Sequence, residues 1–558
     1  MIDEMTSTFE SRRGQAFPTL NAREIDRLRR FGAVRRWADG ECLFEAGVEG
    51  PGMIVVLSGI VTVTRRDGLG GHVHVYDQGA GEFLGEVGQL TGRPAFVDGH
   101  AGGPVEALLI APDSLRSLVV AEAELGEKIM RALILRRVIL IEEGIGAIVV
   151  GMRDASDTVR LAGFLTRNGH PFRVVEPGTQ DTACSLIQHC TASANDLPLV
   201  LCPNGEVLKN PDESALARCL GMVDPARIVG RSFDVAVVGA GPAGLAAAVY
   251  AASEGLSVVV LDTRAFGGQA GASARIENLL GFPTGITGQA LSGRAFVQAQ
   301  KFGAEMAIPM AVSRLDCSAV DDGRLRLELG DAGALEAKTV VLASGARYRR
   351  LEVEGQERFD GRGVSYWATP LEARQVKGEE VLLVGGGNSA GQAAVFLAEH
   401  AKRVRILVRR PLRETMSQYL VERIAGAPTI EVIERAQVTS LAGEYALEQV
   451  RWKTPDGQFD ESIRFLFLFI GAEPATGWLA DCGVALERGF VMTGQSLPRE
   501  LLGDSKYWRT RSPAPHETSV PGVFAIGDVR AGSVKRVGAA IGEGAAVVAQ
   551  IHAHLAAE

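Results

Sequence analysis

The chain carries two short glycine-rich runs, each lying between an apolar run and a helical pattern. The first, Gly239-Ala240-Gly241-Pro242-Ala243-Gly244, comes after Val235-Ala236-Val237-Val238. The second, Gly385-Gly386-Gly387-Asn388-Ser389-Ala390, comes after Val381-Leu382-Leu383-Val384. A strand that runs through such a turn into a helix gathers unpaired backbone N–H groups and the positive end of a helix dipole at one point. Glycine there allows the tight turn and lets a pyrophosphate reach the backbone. Two such loops require two nucleotide-sized βαβ units, so the fold class is multidomain α/β.

The residues beyond each loop refine this reading. After the first, 245–253 reads as a helix and 257–261 as a strand ending in Asp262, where a carboxylate reaches an adenosine ribose hydroxyl. After the second, 390–398 reads as a helix and 404–408 as a strand ending in Arg409 and Arg410. Guanidinium groups can fork onto a 2′-phosphate that an acid would repel, so NADPH is expected over NADH. A third signature, Pro521-Gly522-Val523-Phe524-Ala525-Ile526-Gly527-Asp528, delivers a carboxylate to a turn where it can hold polyol hydroxyls. The helix over 537–554 aims its N-terminal dipole at the same place, a field that suits a reduced, anionic flavin. The three signatures predict FAD and NADPH, with hydride transfer between them.

At 558 residues the chain exceeds one core, and three or four domains are expected. A net charge of −9 and a pI near 5.7 argue against a general nucleic-acid surface. The most apolar stretch, 132–151, is broken by Arg136, Arg137, Glu142 and Glu143, so no membrane span is expected. The polar N-terminus lacks an apolar signal core, and the cytoplasm is the expected location. The seven cysteines, Cys42, Cys184, Cys190, Cys202, Cys219, Cys317 and Cys482, are odd in number and scattered. Reduced thiols are therefore expected. Cys184 and Cys190 are the nearest pair, at a spacing that fits neither a redox dithiol nor a zinc knuckle. His72 and His74 share a strand face, but no nearby cysteine completes a ligand set, and no metal is expected.

Residues 19–112 read as short strands (53–57, 59–64, 72–76) between glycine turns, a small roll or barrel. From Asp113 the pattern turns helical. The helix carrying Ile129, Leu133, Arg137 and Leu140 is apolar around much of its surface, so it is expected to pack against a twin subunit, and a homodimer is expected. From 147 the pattern restarts: strand 147–150, helix 158–167, strand 172–175, strands 199–202 and 206–208, and helix 212–220. From Arg231 onward βαβ units dominate.

Over residues 233–557 these signatures, in this order, resemble the low-molecular-weight thioredoxin reductases and their flavoprotein relatives. Gly267-Gly268-Gln269, Glu277-Asn278, Gly281-Phe282-Pro283, Ala343-Ser344-Gly345-Ala346, Gly471-Ala472-Glu473-Pro474-Ala475-Thr476 and Gly527-Asp528-Val529-Arg530 all fall in place. The resemblance implies a flavin domain in two segments, 230–355 and 475–558, with the NAD(P)H domain 356–474 inserted. On the FAD it places Gly239, Gly241, Pro242, Ala243, Gly244, Asp262, Gly268, Gln269, Asn278, Gly345, Gly527, Asp528, Lys535, Arg536 and Val537. On NADPH it places Gly385, Gly387, Asn388, Ser389, Ala390, Arg409 and Arg410.

The departure from that family is equally plain. Where its members carry Cys-Ala-Thr-Cys, this chain reads Trp367-Ala368-Thr369-Pro370, and it has no Cys-x-x-Cys anywhere. A thiolate must attack a disulfide, so the ordinary dithiol relay cannot run here. Trp367 and Pro370 are expected on the flavin face that the dithiol would occupy, shielding the ring or stacking a substrate. Electrons would then leave to oxygen, a quinone-like molecule or a partner protein. A redox or nucleotide sensor without fast turnover is the rival reading, and disulfide reduction through Cys184 and Cys190 a third.

Residues 19–146 resemble the cyclic-nucleotide-binding domain of catabolite activator proteins through Gly81-Glu82-Phe83-Leu84-Gly85-Glu86-Val87 and Gly92-Arg93-Pro94-Ala95. The resemblance places Gly85 and Glu86 on a ribose and Arg93 on a cyclic phosphate. Pro94 stands where that family has Ser or Thr, which removes a hydroxyl and an amide donor. Residues 147–229 resemble a thioredoxin or glutaredoxin fold, with Asp196-Leu197-Pro198-Leu199 as its proline turn, able to be cis. The position for Cys-x-x-Cys, near 154–158, holds no cysteine, so a spacer or docking module is expected.

Overall fold

The computed structural model of the chain describes residues 8–66, 71–177, 196–502 and 505–557, so Cys184 and Cys190 lie outside the described residues. The N-terminal roll is built from two four-stranded antiparallel sheets. One runs in the order Ala33–Trp37, Val105–Ile110, Met53–Ser58, Phe83–Leu84, and the other Cys42–Phe44, Asp98–Ala101, Val61–Arg66, His72–Gln78. In Met53–Ser58 the side chains alternate between two cores. Met53 and Val55 meet the helices Pro112–Ala121 and Ala123–Glu142, while Ile54 and Val56 meet Val61, Val63 and Leu84.

Helix Ala123–Glu142 buries Leu125, Ile129 and Leu133 in the roll. Its other apolar side, Leu135 and Ile139, packs against Ala16 and Phe17 at the end of helix Thr8–Ala16. Part of this helix's apolar surface is thus covered within the same chain, while Ile134 and Ile141 stay exposed.

The middle unit is a four-stranded sheet in the order Phe172–Val175, Ala147–Val150, Leu199–Leu201, Val207–Lys209. Its first pair is parallel and the next two antiparallel, and helix Ser156–Arg167 makes the crossover. The Leu197–Pro198 peptide is cis. Asp212 caps helix Glu213–Cys219 by accepting the Ala215 N–H at 2.7 Å. The expectation that every thiol is reduced fails here, because Cys202 and Cys219 form a disulfide with Cα atoms 6.3 Å apart. They lie 17 residues apart, but the end of a strand and the end of a helix meet across the small sheet.

The largest sheet explains how two distant segments make one unit. Its path is Glu305–Ala307, Val258–Leu261, Ser232–Val238, Ala334–Leu342, Leu325–Glu328, Arg314–Asp316. The late strand Val523–Ala525 adds parallel to Ala334–Leu342, pairing Val340 with Val523. Ser232–Val238 is central and covered on both faces, which is why it reads as a continuous apolar run. The inserted unit has an all-parallel sheet, Val364–Ser365, Phe465–Leu468, Glu380–Val384, Arg403–Val408, Ile430–Glu434. The two crossings between these units pair with each other, Ala346–Tyr348 antiparallel to Ala472–Pro474. Among the described residues, no helix is long and apolar enough to cross a membrane.

Candidate nucleotide and electron-transfer site

The helices that start at the two glycine loops and after the Gly-Asp turn all begin without a side-chain cap on their first turn. Helix Pro242–Ser253 has Gly241 as its N-cap, Asn388–Ala398 has Gly387, and Val537–Leu555 has Arg536. The first N–H groups of a helix have no partner within it and must find one. Pro242 at the first helical position gives up only an N–H that would be unpaired anyway.

The glycines divide into two kinds. Gly239 has φ +112°, and a Cβ there would lie 2.2 Å from the Ala343 carbonyl oxygen, so the turn itself excludes any other residue. Gly241 is extended, with φ −72° and ψ −179°, and a Cβ there would meet nothing within 4 Å. The space over Gly241 is open at the point where the orphan N–H groups face out. Gly385 and Gly387 repeat the pair, one against the Phe469 carbonyl oxygen at 2.3 Å and one open. Uncapped donors behind an open glycine fit a pyrophosphate at both loops.

The remaining positions differ in what they can contribute. Asp262 ends strand Val258–Leu261 and braces the first loop: Oδ2 accepts the Ala240 N–H at 2.8 Å, and Oδ1 accepts Arg264 at 3.1 Å and Ala265 at 3.4 Å. Burial pushes its pKa up, against these three donors and nearby Arg167. A carboxylate offers about four lone-pair positions, which leaves room for a ribose hydroxyl. Gln269 is the residue after Gly268 in the short helix Gly268–Gly271 and donates from Nε2 to the Ala346 carbonyl oxygen at 2.5 Å. Gly345 has φ +65° and open space at its Cβ position, while Asn278 is exposed on its loop.

At the third signature, Gly527 has φ +69° and donates its N–H to Glu543 Oε2 at 2.6 Å. Glu543 also pairs with Arg530, and so ties the Gly-Asp turn to the helix Val537–Leu555. Nothing in the spacing pointed to Glu543, which reaches back 16 positions. Burial pushes the Asp528 carboxyl up, and Lys535 donates to the Asp528 carbonyl oxygen and to Ser533.

In the second loop Ala390 is buried in the core of its unit, so only its backbone can serve a ligand. Asn388 turns inward, its Oδ1 accepting the Ser417 N–H at 2.7 Å, and Ser389 is exposed. Arg409 and Arg410 are exposed at the end of Arg403–Val408, with no ion pair of theirs among the described residues.

Trp367 is held on two sides. Its Nε1 donates to Glu372 Oε1 at 2.9 Å, while Glu372 Oε2 accepts the Thr369 N–H at 2.9 Å. The guanidinium of Arg167, at the end of helix Ser156–Arg167 in the middle unit, lies 4.8 Å over the Trp367 ring. Pro370 is exposed and opens helix Pro370–Gln375. Beside them, Tyr366 donates to Asp360 at 2.7 Å, and burial together with that carboxylate pushes the phenol up.

The roll holds a partly open cavity of about 330 Å³, with Gly85 and Glu86 in its wall. Arg93 is not in that wall. Its guanidinium lies 5.7 Å over the Phe296 ring of the flavin-side unit, and the Pro94 ring crowds against Gly221 of the middle unit. Glu86 is paired with Arg137 at 2.7 Å, and Arg137 also donates to the Gly169 carbonyl oxygen at 3.4 Å. Glu86 and Arg93 nevertheless stay close, both flanking Gly88 and interacting electrostatically, while the turn Gly92-Arg93-Pro94 also makes contacts between units. Sequence spacing cannot show which face of a turn meets a neighbouring domain.

Comparison with known proteins fits this geometry. The profile of the family described as pyridine nucleotide-disulphide oxidoreductase matches residues 233–544. The chain belongs to that family. A cyclic nucleotide-binding domain profile matches residues 34–122. The thioredoxin reductase of Bacillus subtilis (strain 168) is 32% identical over 340 residues, covering 58% of this chain and 95% of the relative. The alkyl hydroperoxide reductase F-subunit, from Escherichia coli (strain K12), is 30% identical over 317 residues, and the chain spans only 56% of that relative's length. Among solved structures, thioredoxin reductase of T. acidophilum superposes with a TM-score of 0.52 at 30% identity, covering 58% of this chain and 99% of that one. Thioredoxin reductase of Lactococcus lactis gives 0.52 at 25% identity, with 58% and 100% covered. The chain is an FAD-dependent oxidoreductase of this family, whose cofactors are FAD and NADPH.

Proposed function

We propose that this flavoenzyme takes electrons from NADPH and delivers them, without a dithiol relay in its NADPH-binding unit, to an acceptor that meets the flavin directly. FAD held by the 239–244 loop, Asp262 and the Gly527-Asp528 turn would supply the two-electron chemistry between NADPH and this acceptor. The observation that carries the reading is the fixed Trp367: Glu372 holds its indole N–H and Arg167 covers one of its faces, at the place where the family keeps a sulfur. Residues 356–474 contain no cysteine at all. An acceptor such as oxygen, a quinone-like molecule or a redox partner protein needs no thiolate. In this reading Arg409 and Arg410 hold the 2′-phosphate of NADPH, and the uncapped N-terminus of Val537–Leu555 faces the flavin.

The roll is regulatory in this proposal, through contacts that reach the Trp367 site. Helix Ala123–Glu142 carries Arg137 to Glu86 and to Gly169, and Arg167, two residues before Gly169, lies on Trp367. Anaerobic titration of the flavoprotein with NADPH tests the main claim. Complete bleaching of the flavin at one NADPH per FAD is expected. A requirement for two, with thiols appearing in step, would mean that a disulfide stores a second electron pair and would reject the reading.

A further inference from the structure

The strongest unexplained feature outside the nucleotide loops is Arg136 in the wall of the roll's cavity. It is only 3% exposed. Its Nε donates to the Ala16 carbonyl oxygen at 2.8 Å and its Nη1 to the Gly85 carbonyl oxygen at 2.9 Å. The rings of Phe17 and Phe83 lie 4.9 and 4.4 Å from its guanidinium carbon. Its Nη2 is buried with no hydrogen-bond partner, and no carboxylate pairs with it among the described residues. A buried cation with no direct ion pair is costly, and burial pushes this guanidinium down to about 10, against the opposing pull of Tyr76 and Glu82.

The cavity beside it is largely apolar, walled by Phe44, Ile54, Leu84, Phe96, Ile139 and Ile145 among others. The other charged groups in its wall are Arg65, His74, Glu86 and Glu143. Glu86 pairs with Arg137 through Oε2 while its Oε1 is buried without a hydrogen-bond partner, His74 pairs with Asp77 at 3.1 Å, and Glu143 is exposed. Of the groups a cyclic phosphate would need, Arg93 sits beside Glu86 but outside the cavity wall, with its guanidinium over Phe296, and Pro94 has no N–H to give.

The structure assigns this cavity to a small amphipathic carboxylate, its apolar body among the aromatic and aliphatic walls and its charge compensating Arg136. At about 330 Å³ it is the size of a small-molecule site, not a packing defect. Arg136 lies beyond the segment that matches the cyclic nucleotide-binding profile, so that match says nothing of it. The site stands independently of any effect on turnover.

Calorimetry on the full chain tests it, with four probes: sodium dodecanoate below its micelle concentration, 2-naphthoate, uncharged 2-naphthol and cyclic AMP. Saturable binding of one carboxylate per chain is expected, with 2-naphthol weaker than 2-naphthoate and no heat from cyclic AMP. Arg136→Gln should weaken the carboxylates about tenfold or more, the loss of one charge-assisted hydrogen bond. Arg136→Lys keeps the charge and should keep binding, which guards against a fold lost in the Gln variant. Ile139→Trp, which fills the cavity, should abolish binding. Absence of carboxylate binding to the wild type, binding indifferent to Arg136→Gln or to Ile139→Trp, or cyclic AMP binding more tightly than either carboxylate would each overturn the assignment. The NADPH titration above is a separate measurement, so either reading can fail alone.

Discussion

Gly241→Ala separates binding of FAD from folding of the protein. At this position the backbone is extended and a Cβ would meet nothing within 4 Å, so alanine fits the apoprotein. The fold loses only the N-cap preference for glycine over alanine, at most about 1 kcal/mol. The added methyl nevertheless stands between the orphan N–H groups of helix Pro242–Ser253 and any phosphate approaching them. Each charge-assisted hydrogen bond lost is worth about 1.5–3 kcal/mol, so FAD should bind roughly ten- to a hundredfold more weakly for each one broken. The assay is a titration of flavin-stripped protein with FAD, read by flavin fluorescence, with thermal unfolding of the apoprotein alongside. Gly239→Ala provides the contrast, because φ +112° and a carbonyl oxygen 2.2 Å from the new Cβ should damage the fold itself. If Gly241→Ala binds FAD as the wild type does, the pyrophosphate does not lie over this loop and the assignment is wrong.

Two further outcomes are expected from the same geometry. Replacing Arg409 and Arg410 together by alanine should weaken NADPH by about 1–3 kcal/mol while leaving NADH nearly unchanged; equal losses in KM for the two nucleotides would remove these arginines from the 2′-phosphate. His170 is buried at the junction of roll and middle unit, edge-on to Phe96 at 4.9 Å, with Nε2 unpartnered. Burial, and after it Arg137, pushes its pKa down to about 3. The folded value lies below the unfolded one, so its contribution is fully present above about pH 6.5 and is lost as pH falls towards 3, by roughly 2 kcal/mol at pH 5. His170→Phe should remove that part of the acid sensitivity in urea unfolding compared at pH 7.5 and 5; an unchanged pH dependence would show that His170 is not held neutral.

Much of the architecture was legible because periodicity and turn chemistry are local. The runs 147–150 and 172–175 are strands as read, and the helix predicted over 537–554 forms as Val537–Leu555. The glycine loops could be read because only glycine satisfies a turn like that of Gly239, and a strand before plus a helix after leaves few alternatives. The loss of Cys-x-x-Cys was likewise a matter of letters alone.

Contacts between units were not legible, because they join residues with no fixed spacing in sequence. Asp262 binding its own loop, Glu543 reaching Gly527, and Arg167 lying on Trp367 are decided by how sheets and helices stack. The same cause closes Cys202 onto Cys219 and sets Arg93 against Phe296. The sequence by itself determined which backbone turns could hold nucleotides. Only the tertiary structure decided which charges those turns and the roll leave without a partner, since pairing and burial depend on which surfaces meet.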